Sequence, residues 1–93
     1  MRRLVWSNTF KRAFRRMIRK HPMLREDLEV TLASLAANAF APQLATHKLK
    51  GELFGSWACS AGYDVRVVFQ FVKGEGTEDD IFLIELGTHD EVY

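Results

Sequence analysis

The sequence has few of the features that would place it in several large classes of protein. Its single cysteine, Cys59, excludes an internal disulfide and favours a reducing compartment. No stretch approaches the roughly 20 consecutive apolar residues of a membrane span. The apolar run after Met1 is also too short for a secretory signal. These absences predict a cytoplasmic protein without a membrane partner.

Acidic residues are absent from the first part of the chain. Residues 1–25 contain nine Lys and Arg side chains and no Asp or Glu, whereas residues 26–93 contain four basic and twelve acidic side chains. The formal net charge of +1 therefore divides into +9 and −8. Such asymmetry points to a polyanionic partner for the basic segment, although two solvated helix faces would also account for it.

The hydrophobic periodicity predicts two helices in succession. Ser7 and Asn8 are good N-caps. The apolar residues that follow recur at i, i+3, i+4, i+7 and i+8, the spacing of an amphipathic helix: Phe10, Ala13, Phe14, Met17 and Ile18. His21-Pro22 ends this helix, and a second one, with Pro22 in its first turn, ends around Ala37-Asn38. The two form a helical hairpin within one domain, residues 1–93.

Short runs of strand-favouring residues surround the hairpin. Strands are predicted at 4–6, 56–60, 64–72 and 79–86, with residues 39–50 as a connector. The order is β-α-α-β-β-β, so the fold class is α+β, with the helical hairpin packed on a small, mainly antiparallel, twisted sheet. Gly87-Thr88 then leads to His89 and, four residues on, Tyr93. An imidazole can move a proton at neutral pH, and a tyrosine ring can stack on a base.

Four short segments together resemble a known family. They are His47-Lys48-Leu49-Lys50-Gly51, Gly55-Ser56-Trp57-Ala58-Cys59, Asp64-Val65-Arg66-Val67 and Gly87-Thr88-His89-Asp90-Glu91-Val92-Tyr93. In this order they resemble the RelE/ParE superfamily, the toxins of bacterial type II toxin–antitoxin modules, and most of all its YafQ-like mRNA interferases. The resemblance spans nearly the whole chain and agrees with the predicted element order.

The resemblance implies an activity and a set of partners. The expected reaction is metal-free and cofactor-free cleavage of messenger RNA in the ribosomal A site, in which the 2′-hydroxyl attacks the adjacent phosphorus. The expected partners are a cognate antitoxin, messenger RNA and the ribosome, with operator DNA reached only through the antitoxin. The basic face of the first helix would dock on ribosomal RNA phosphates through Arg12, Arg15, Arg16 and Arg19.

The same resemblance implies the residues of the site. Its catalytic positions match His47, Asp64, Arg66 and His89, and its RNA-binding positions match Lys48, Lys50 and Tyr93. The residues alone allow other interpretations. His47 would serve equally as a loop histidine, Asp64 as a turn residue, and Arg66 as the partner of Asp64 or Glu85 in a salt bridge. The division of acid and base roles stays open among His47, Asp64 and His89.

One position departs from the YafQ-like pattern. That branch has a further histidine near Cys59, and a thiol with an ordinary pKa of about 8.5 is a poor replacement in proton transfer. A small buried residue is the simpler interpretation of Cys59. Two other functions share the fold: a ParE-like inhibitor of DNA gyrase, which usually lacks the His47 and His89 pair, and a degenerate toxin that binds only its antitoxin.

Overall fold

The computed structural model describes residues 1–62 and 64–88, and it has the predicted order of elements. The elements are strand β1 (Leu4–Trp6), helices α1 (Asn8–Lys20) and α2 (Leu24–Ala37), and strands β2 (His47–Lys48), β3 (Trp57–Ala61), β4 (Val65–Val72) and β5 (Asp80–Thr88). Two 3-10 helices, Pro42–Leu44 and Gly51–Leu53, flank β2. The α+β fold is confirmed, and β2 is an addition within the predicted connector.

The five strands form one sheet in the order β1-β5-β4-β3-β2. Strand β1 pairs with β5 in parallel, and the other three pairings are antiparallel. The sheet is therefore mainly antiparallel, as predicted. Its last strand in sequence, β5, lies between the first strand and the central β4.

Helix α1 begins and ends where local chemistry requires. The Ser7 hydroxyl accepts a hydrogen bond from the Phe10 backbone N–H at 3.0 Å, which satisfies one of the unpaired donors of the first turn. The same hydroxyl donates to the carbonyl of Ile84 at 3.2 Å, so the cap also ties the helix to β5. At the other end, Pro22 follows the C-cap residue His21 and prevents continuation of the helix.

The two faces of the sheet are covered unequally. On the side of the helices, the main core buries residues from every layer, including Phe10, Leu28, Leu35, Val67 and Phe69. On the other side, a small cluster of Leu49, Ala58 and Val68 is packed against Leu53 and Ile84. We call this second side the open face, because no helix of the hairpin covers it.

The start of the chain is fastened to the β4–β5 loop by ion pairs and a hydrogen bond. The Met1 ammonium lies 3.5 Å from Glu78, and Arg3 lies 3.2 Å from Asp80. Arg2 donates to the carbonyl of Asp79 at 2.9 Å. None of the described helices combines the length and the apolar character needed to cross a membrane.

Candidate functional site

Strand register brings His47 and Arg66 to the open face. His47 pairs with Ala58, and Ala58 pairs with Val68, both members of the small cluster on that face. Arg66 lies two residues before Val68 on β4, and alternate residues of a strand share a face. The Cα atoms of His47 and Arg66 are therefore about 12 Å apart, given usual strand and residue spacings. The two side chains and a phosphate between them can span that distance.

The backbone next to His47 fixes the protonation pattern of its ring. Ala45 adopts a left-handed conformation with φ of 50°, and its carbonyl oxygen lies 3.0 Å from Nδ1 of His47. A carbonyl only accepts, so Nδ1 must carry the proton. In the neutral ring the basic nitrogen is then Nε2. This is the tautomer that a general base needs, on an exposed side chain.

Arg66 is half-buried, and no carboxylate of the described residues pairs with it. Its Nη1 donates only to the carbonyl of Val65, at 3.3 Å. The salt bridge to Asp64 or Glu85 that the sequence allowed is not formed. The guanidinium therefore keeps most of its donors for an anion, and Arg66 is paired across the sheet with Ser60 and Gly87.

A bulge in β5 brings to this site a residue that the sequence suggested only as a salt-bridge partner of Arg66. Val68 pairs with Glu85 but Phe69 pairs with Leu83, so Ile84 is an extra residue in the ladder. Glu85 is thereby in the same cross-strand row as Val68, Ala58 and His47, on the open face. Strict alternation from Leu83 would have put Glu85 in the main core, so its place on the open face depends on the bulge.

Asp64 lies elsewhere. Strand β4 begins at Val65, so Asp64 belongs to the preceding turn, and the expected alternation of Asp64 and Arg66 on one strand face does not apply. Asp64 is exposed and contributes to a mainly apolar cavity of about 460 Å³ at the tip of the hairpin. The cavity is lined by Met17, Lys20, His21, Pro22, Met23, Leu24, Asp64, Val65 and Thr88. Asp64 therefore precedes the first residue of β4, whereas His47 pairs through Ala58 with Val68 in the middle of that strand.

The two lysines of the His-x-Leu-x-Gly segment point to different surroundings. Lys48 pairs with Trp57, and its Nζ lies 5.4 Å from the centre of the Trp57 ring, on the face opposite His47. Lys50 is exposed and precedes the second 3-10 helix. His89 and Tyr93, the remaining predicted site residues, lie outside the described residues.

Cys59 is a core residue. It is fully buried in the main core, between the open-face residues Ala58 and Ser60. Burial raises the pKa of its thiol to about 12, and the positive charge of Arg66 lowers it by less. The interpretation of Cys59 as a small buried side chain is confirmed. A neutral thiol in the main core cannot replace an imidazole on the open face.

The basic residues of α1 form a separate surface. Asn8, Arg12, Arg15, Arg16 and Arg19 line a cleft of about 490 Å³. All four arginines are exposed, and none is paired with a carboxylate of the described part of the chain. We call these four residues the arginine cluster. Within residues 1–62 and 64–88, no group of three His, Cys, Asp or Glu side chains is arranged to hold a metal ion.

The helical hairpin on a five-stranded mixed sheet, with a basic first helix, can be compared with proteins of known family. The family model described as the bacterial toxin of type II toxin–antitoxin systems, YafQ, matches residues 2–93. The chain belongs to this YafQ toxin family. No protein with a curated description matches it by sequence.

Solved structures of other toxins share the fold. A metal-bound toxin from Helicobacter pylori is 28% identical, with a TM-score of 0.78 and 100% of both chains covered. A YoeB/ParE toxin from Agrobacterium tumefaciens is 22% identical, with a TM-score of 0.76, over 94% of this chain and 98% of that one. The E. coli DinJ-YafQ complex contains a chain that is 16% identical, with a TM-score of 0.76, over 100% of this chain and 99% of that one.

Proposed function

We propose that this toxin is a ribosome-dependent endoribonuclease that cleaves messenger RNA in the ribosomal A site. The observation that carries the proposal is Arg66, a half-buried guanidinium on the open face without a carboxylate partner among the described residues. His47 lies on the same face with its proton held on Nδ1. An imidazole beside an available guanidinium suits phosphodiester cleavage, which needs proton transfer and positive charge together.

The proposed reaction uses the RNA's own nucleophile. The 2′-hydroxyl gives its proton to a base and its oxygen bonds to the adjacent phosphorus, while the bond from phosphorus to the 5′-oxygen breaks. An acid protonates that leaving oxygen, and the products are a 2′,3′-cyclic phosphate and a 5′-hydroxyl. The arginine fork stabilises the additional negative charge on phosphorus in the transition state.

The placement of the residues supports a division of roles. Nε2 of His47 accepts the 2′-hydroxyl proton, and Arg66 binds the phosphate. His89 gives a proton to the leaving oxygen, and the carboxylate of Asp64 orients an imidazole or acts as an alternative base. Lys50 contacts a flanking phosphate, and Tyr93 stacks on the target base.

The proposed partners follow from charge and from the relatives. The arginine cluster of α1 docks on ribosomal RNA through phosphate contacts, which do not depend on sequence. YafQ from E. coli has been solved in complex with DinJ, and by the same pattern a cognate antitoxin binds and inhibits this chain. The toxin reaches operator DNA only through that antitoxin.

Mapping RNA 5′-ends after induction tests the activity. Arg66→Ala should lower cleavage by about 100-fold or more, the usual loss when one group that stabilises transition-state charge is removed. Arg66→Lys keeps the charge without the fork and should retain part of the activity. Arg25→Ala is the matched control, because Arg25 is an exposed arginine on α2 that pairs only with Glu29.

Two results would contradict the proposal. Cleavage of a substrate with a 2′-deoxy substitution at the scissile nucleotide would exclude attack by the 2′-hydroxyl. Growth arrest without new RNA 5′-ends, together with inhibition of purified DNA gyrase, would assign the chain to the gyrase-inhibiting function instead.

A further inference from the structure

Three aromatic side chains form an exposed cluster that the proposed reaction does not use. Phe40, Trp57 and Phe71 contact one another with ring centres 5.4 to 5.8 Å apart. Phe40 is 54% exposed, and the other two are half-buried. Contiguous exposed rings of this kind are uncommon on a small domain unless they bind something.

Two cations complete this surface, which we call the aromatic patch. Nζ of Lys48 lies 5.4 Å from the centre of the Trp57 ring, and Cζ of Arg2 lies 5.0 Å from that of Phe71. Lys48 is exposed, and no carboxylate of the described residues pairs with it. Arg2 is held by the Asp79 carbonyl at 2.9 Å and by Glu78 at 3.9 Å. The rings therefore have a cation on each side, of which Arg2 is shared with Glu78.

The patch lies away from the candidate catalytic residues. Phe40 follows α2, and its backbone N–H donates to Oδ1 of Asn38 at 3.2 Å, which fixes the turn that carries the ring. Trp57 and Phe71 both pack against the main core, so the patch is on the opposite side of the sheet from His47 and Arg66. A ligand there would not compete directly with RNA on the open face.

We propose that the aromatic patch binds an acidic, amphipathic peptide segment, and that this segment belongs to the antitoxin. The assignment rests on the proposed function, which supplies the antitoxin as partner. Apolar side chains of the segment would cover the three rings, and acidic side chains on both sides would meet Lys48 and Arg2. Aromatic side chains and arginine are the residue types that dominate binding energy at protein interfaces.

The geometry favours a peptide over two other occupants. Nucleobases bind by stacking on ring faces, but a cation already lies over the Trp57 ring and another over the Phe71 ring. A second copy of this chain would bring two identical sets of positive charges together, since a two-fold interface places the same surface on both subunits. An acidic segment has neither disadvantage.

Calorimetric titration with the purified product of the adjoining antitoxin reading frame tests the assignment. Phe40→Ser should weaken binding about 30-fold or more, the loss typical of an interface residue that dominates binding. Phe54→Ser is the matched control, because Phe54 is 84% exposed and outside the patch, and it should bind as the wild type does. Lys48→Glu should lower the affinity, and the loss should be larger at low salt than at high salt.

Growth assays and sedimentation separate the other outcomes. Without antitoxin, Phe40→Ser should arrest growth as strongly as the wild type and sediment identically. Unchanged affinity of Phe40→Ser would overturn the proposal. So would loss of growth arrest with affinity intact, which would make the patch an RNA surface, or a changed sedimentation coefficient, which would indicate contact between two copies. If the wild type bound no antitoxin, the proposed partner itself would fall, and this assignment with it.

Discussion

Leu83 and Leu86 lie three residues apart on one strand, and both are buried in the main core, with exposures of 0% and 4%. Strict alternation would place them on opposite faces of the sheet. The bulge at Ile84 removes this conflict, because it allows Glu85 to pair with Val68 on the open face. One extra residue thus decides which side chains of β5 lie on the open face.

The bulge determines which of two neighbouring residues of β5, Glu85 or Leu86, contributes more to stability. Strict alternation would predict the opposite order. Leu86→Ala should lower the free energy of unfolding by about 2–5 kcal/mol, as deletions of buried leucine do. Glu85→Ala should change it by no more than about 0.5 kcal/mol, because the side chain lies on the open face. Urea denaturation of both variants measures the difference. A larger loss for Glu85→Ala would show that the register is wrong.

His89 carries the prediction with the clearest cellular readout. His89→Ala should relieve growth arrest and leave antitoxin binding intact, because the proposed role of this side chain is proton transfer to the leaving oxygen. His89→Gln should do the same, since an amide preserves hydrogen bonding but does not titrate near neutral pH. If either variant were as toxic as the wild type, another residue would have to protonate the leaving oxygen. If either failed to fold, His89 would have a structural role.

Cys59 predicts a defined loss of stability at alkaline pH. The folded thiol has a pKa of about 12 against an ordinary 9.0, so it stays protonated in the folded state after the unfolded thiol has ionised. Its contribution to stability is complete below about pH 9 and is lost as the pH rises towards 12, with a slope of at most about 1.4 kcal/mol per pH unit. The Cys59→Ala variant should lack this component. Alkylation of the native protein at pH 8 should be negligible, and rapid alkylation would contradict the burial.

The neighbouring positions 59 and 60 should respond in opposite ways to a new imidazole. Cys59→His would force a larger polar ring into the main core and should cost about 2 kcal/mol or more. Ser60→His should be tolerated, because Ser60 is half-buried on the open face and pairs with Arg66. Thermal unfolding and RNA cleavage can be compared for both variants. An increase in cleavage for Ser60→His alone would show that the missing histidine acts from the open face.

The arginine cluster predicts the salt dependence of the complex with the antitoxin. An acidic segment that covers Arg12, Arg15, Arg16 and Arg19 would bind through exposed charges, which are screened over about 8–10 Å at physiological ionic strength. Affinity should therefore fall steadily from low to high salt, and Arg15→Ala with Arg19→Ala should flatten the dependence. A flat dependence of the wild type would show a mainly apolar complex and leave the cluster for RNA alone.

The elements that depend on local pattern were predictable, and those that depend on pairing were not. The spacing of Phe10, Phe14 and Met17 gave α1, because a helix face is fixed by nearby residues. Strand β2 has only two residues, and its pairing with β3 decides that His47 and Lys48 face opposite sides. Neither that register nor the bulge at Ile84 can be predicted from neighbouring residues in the sequence, because both depend on the partner strand.

The candidate site shows the same division. Motif resemblance selected Arg66 and His47, and the sheet places both on the open face. Asp64 lies in the turn before β4 and not on the strand, so it does not share the strand face of Arg66. Glu85 lies on that face because the bulge pairs it with Val68. Residue types are visible in the sequence, whereas the face of a strand on which they lie depends on partners tens of residues away.

The position of β5 between β1 and β4 has a consequence for how the molecule is made. Leu4 pairs with Ile81, and the backbone N–H of Ser7 donates to the carbonyl of Leu83. Both partners lie more than 70 residues further along the chain, so these contacts form only after β5 has been made. Such distant pairing is slow to form and cannot begin early. A chain still in synthesis, or one cut before β5, lacks the strand that joins the two halves of the sheet. The surface that holds Arg66 and Glu85 is therefore assembled only once β5 has been made, which separates synthesis of this protein from the appearance of its candidate site.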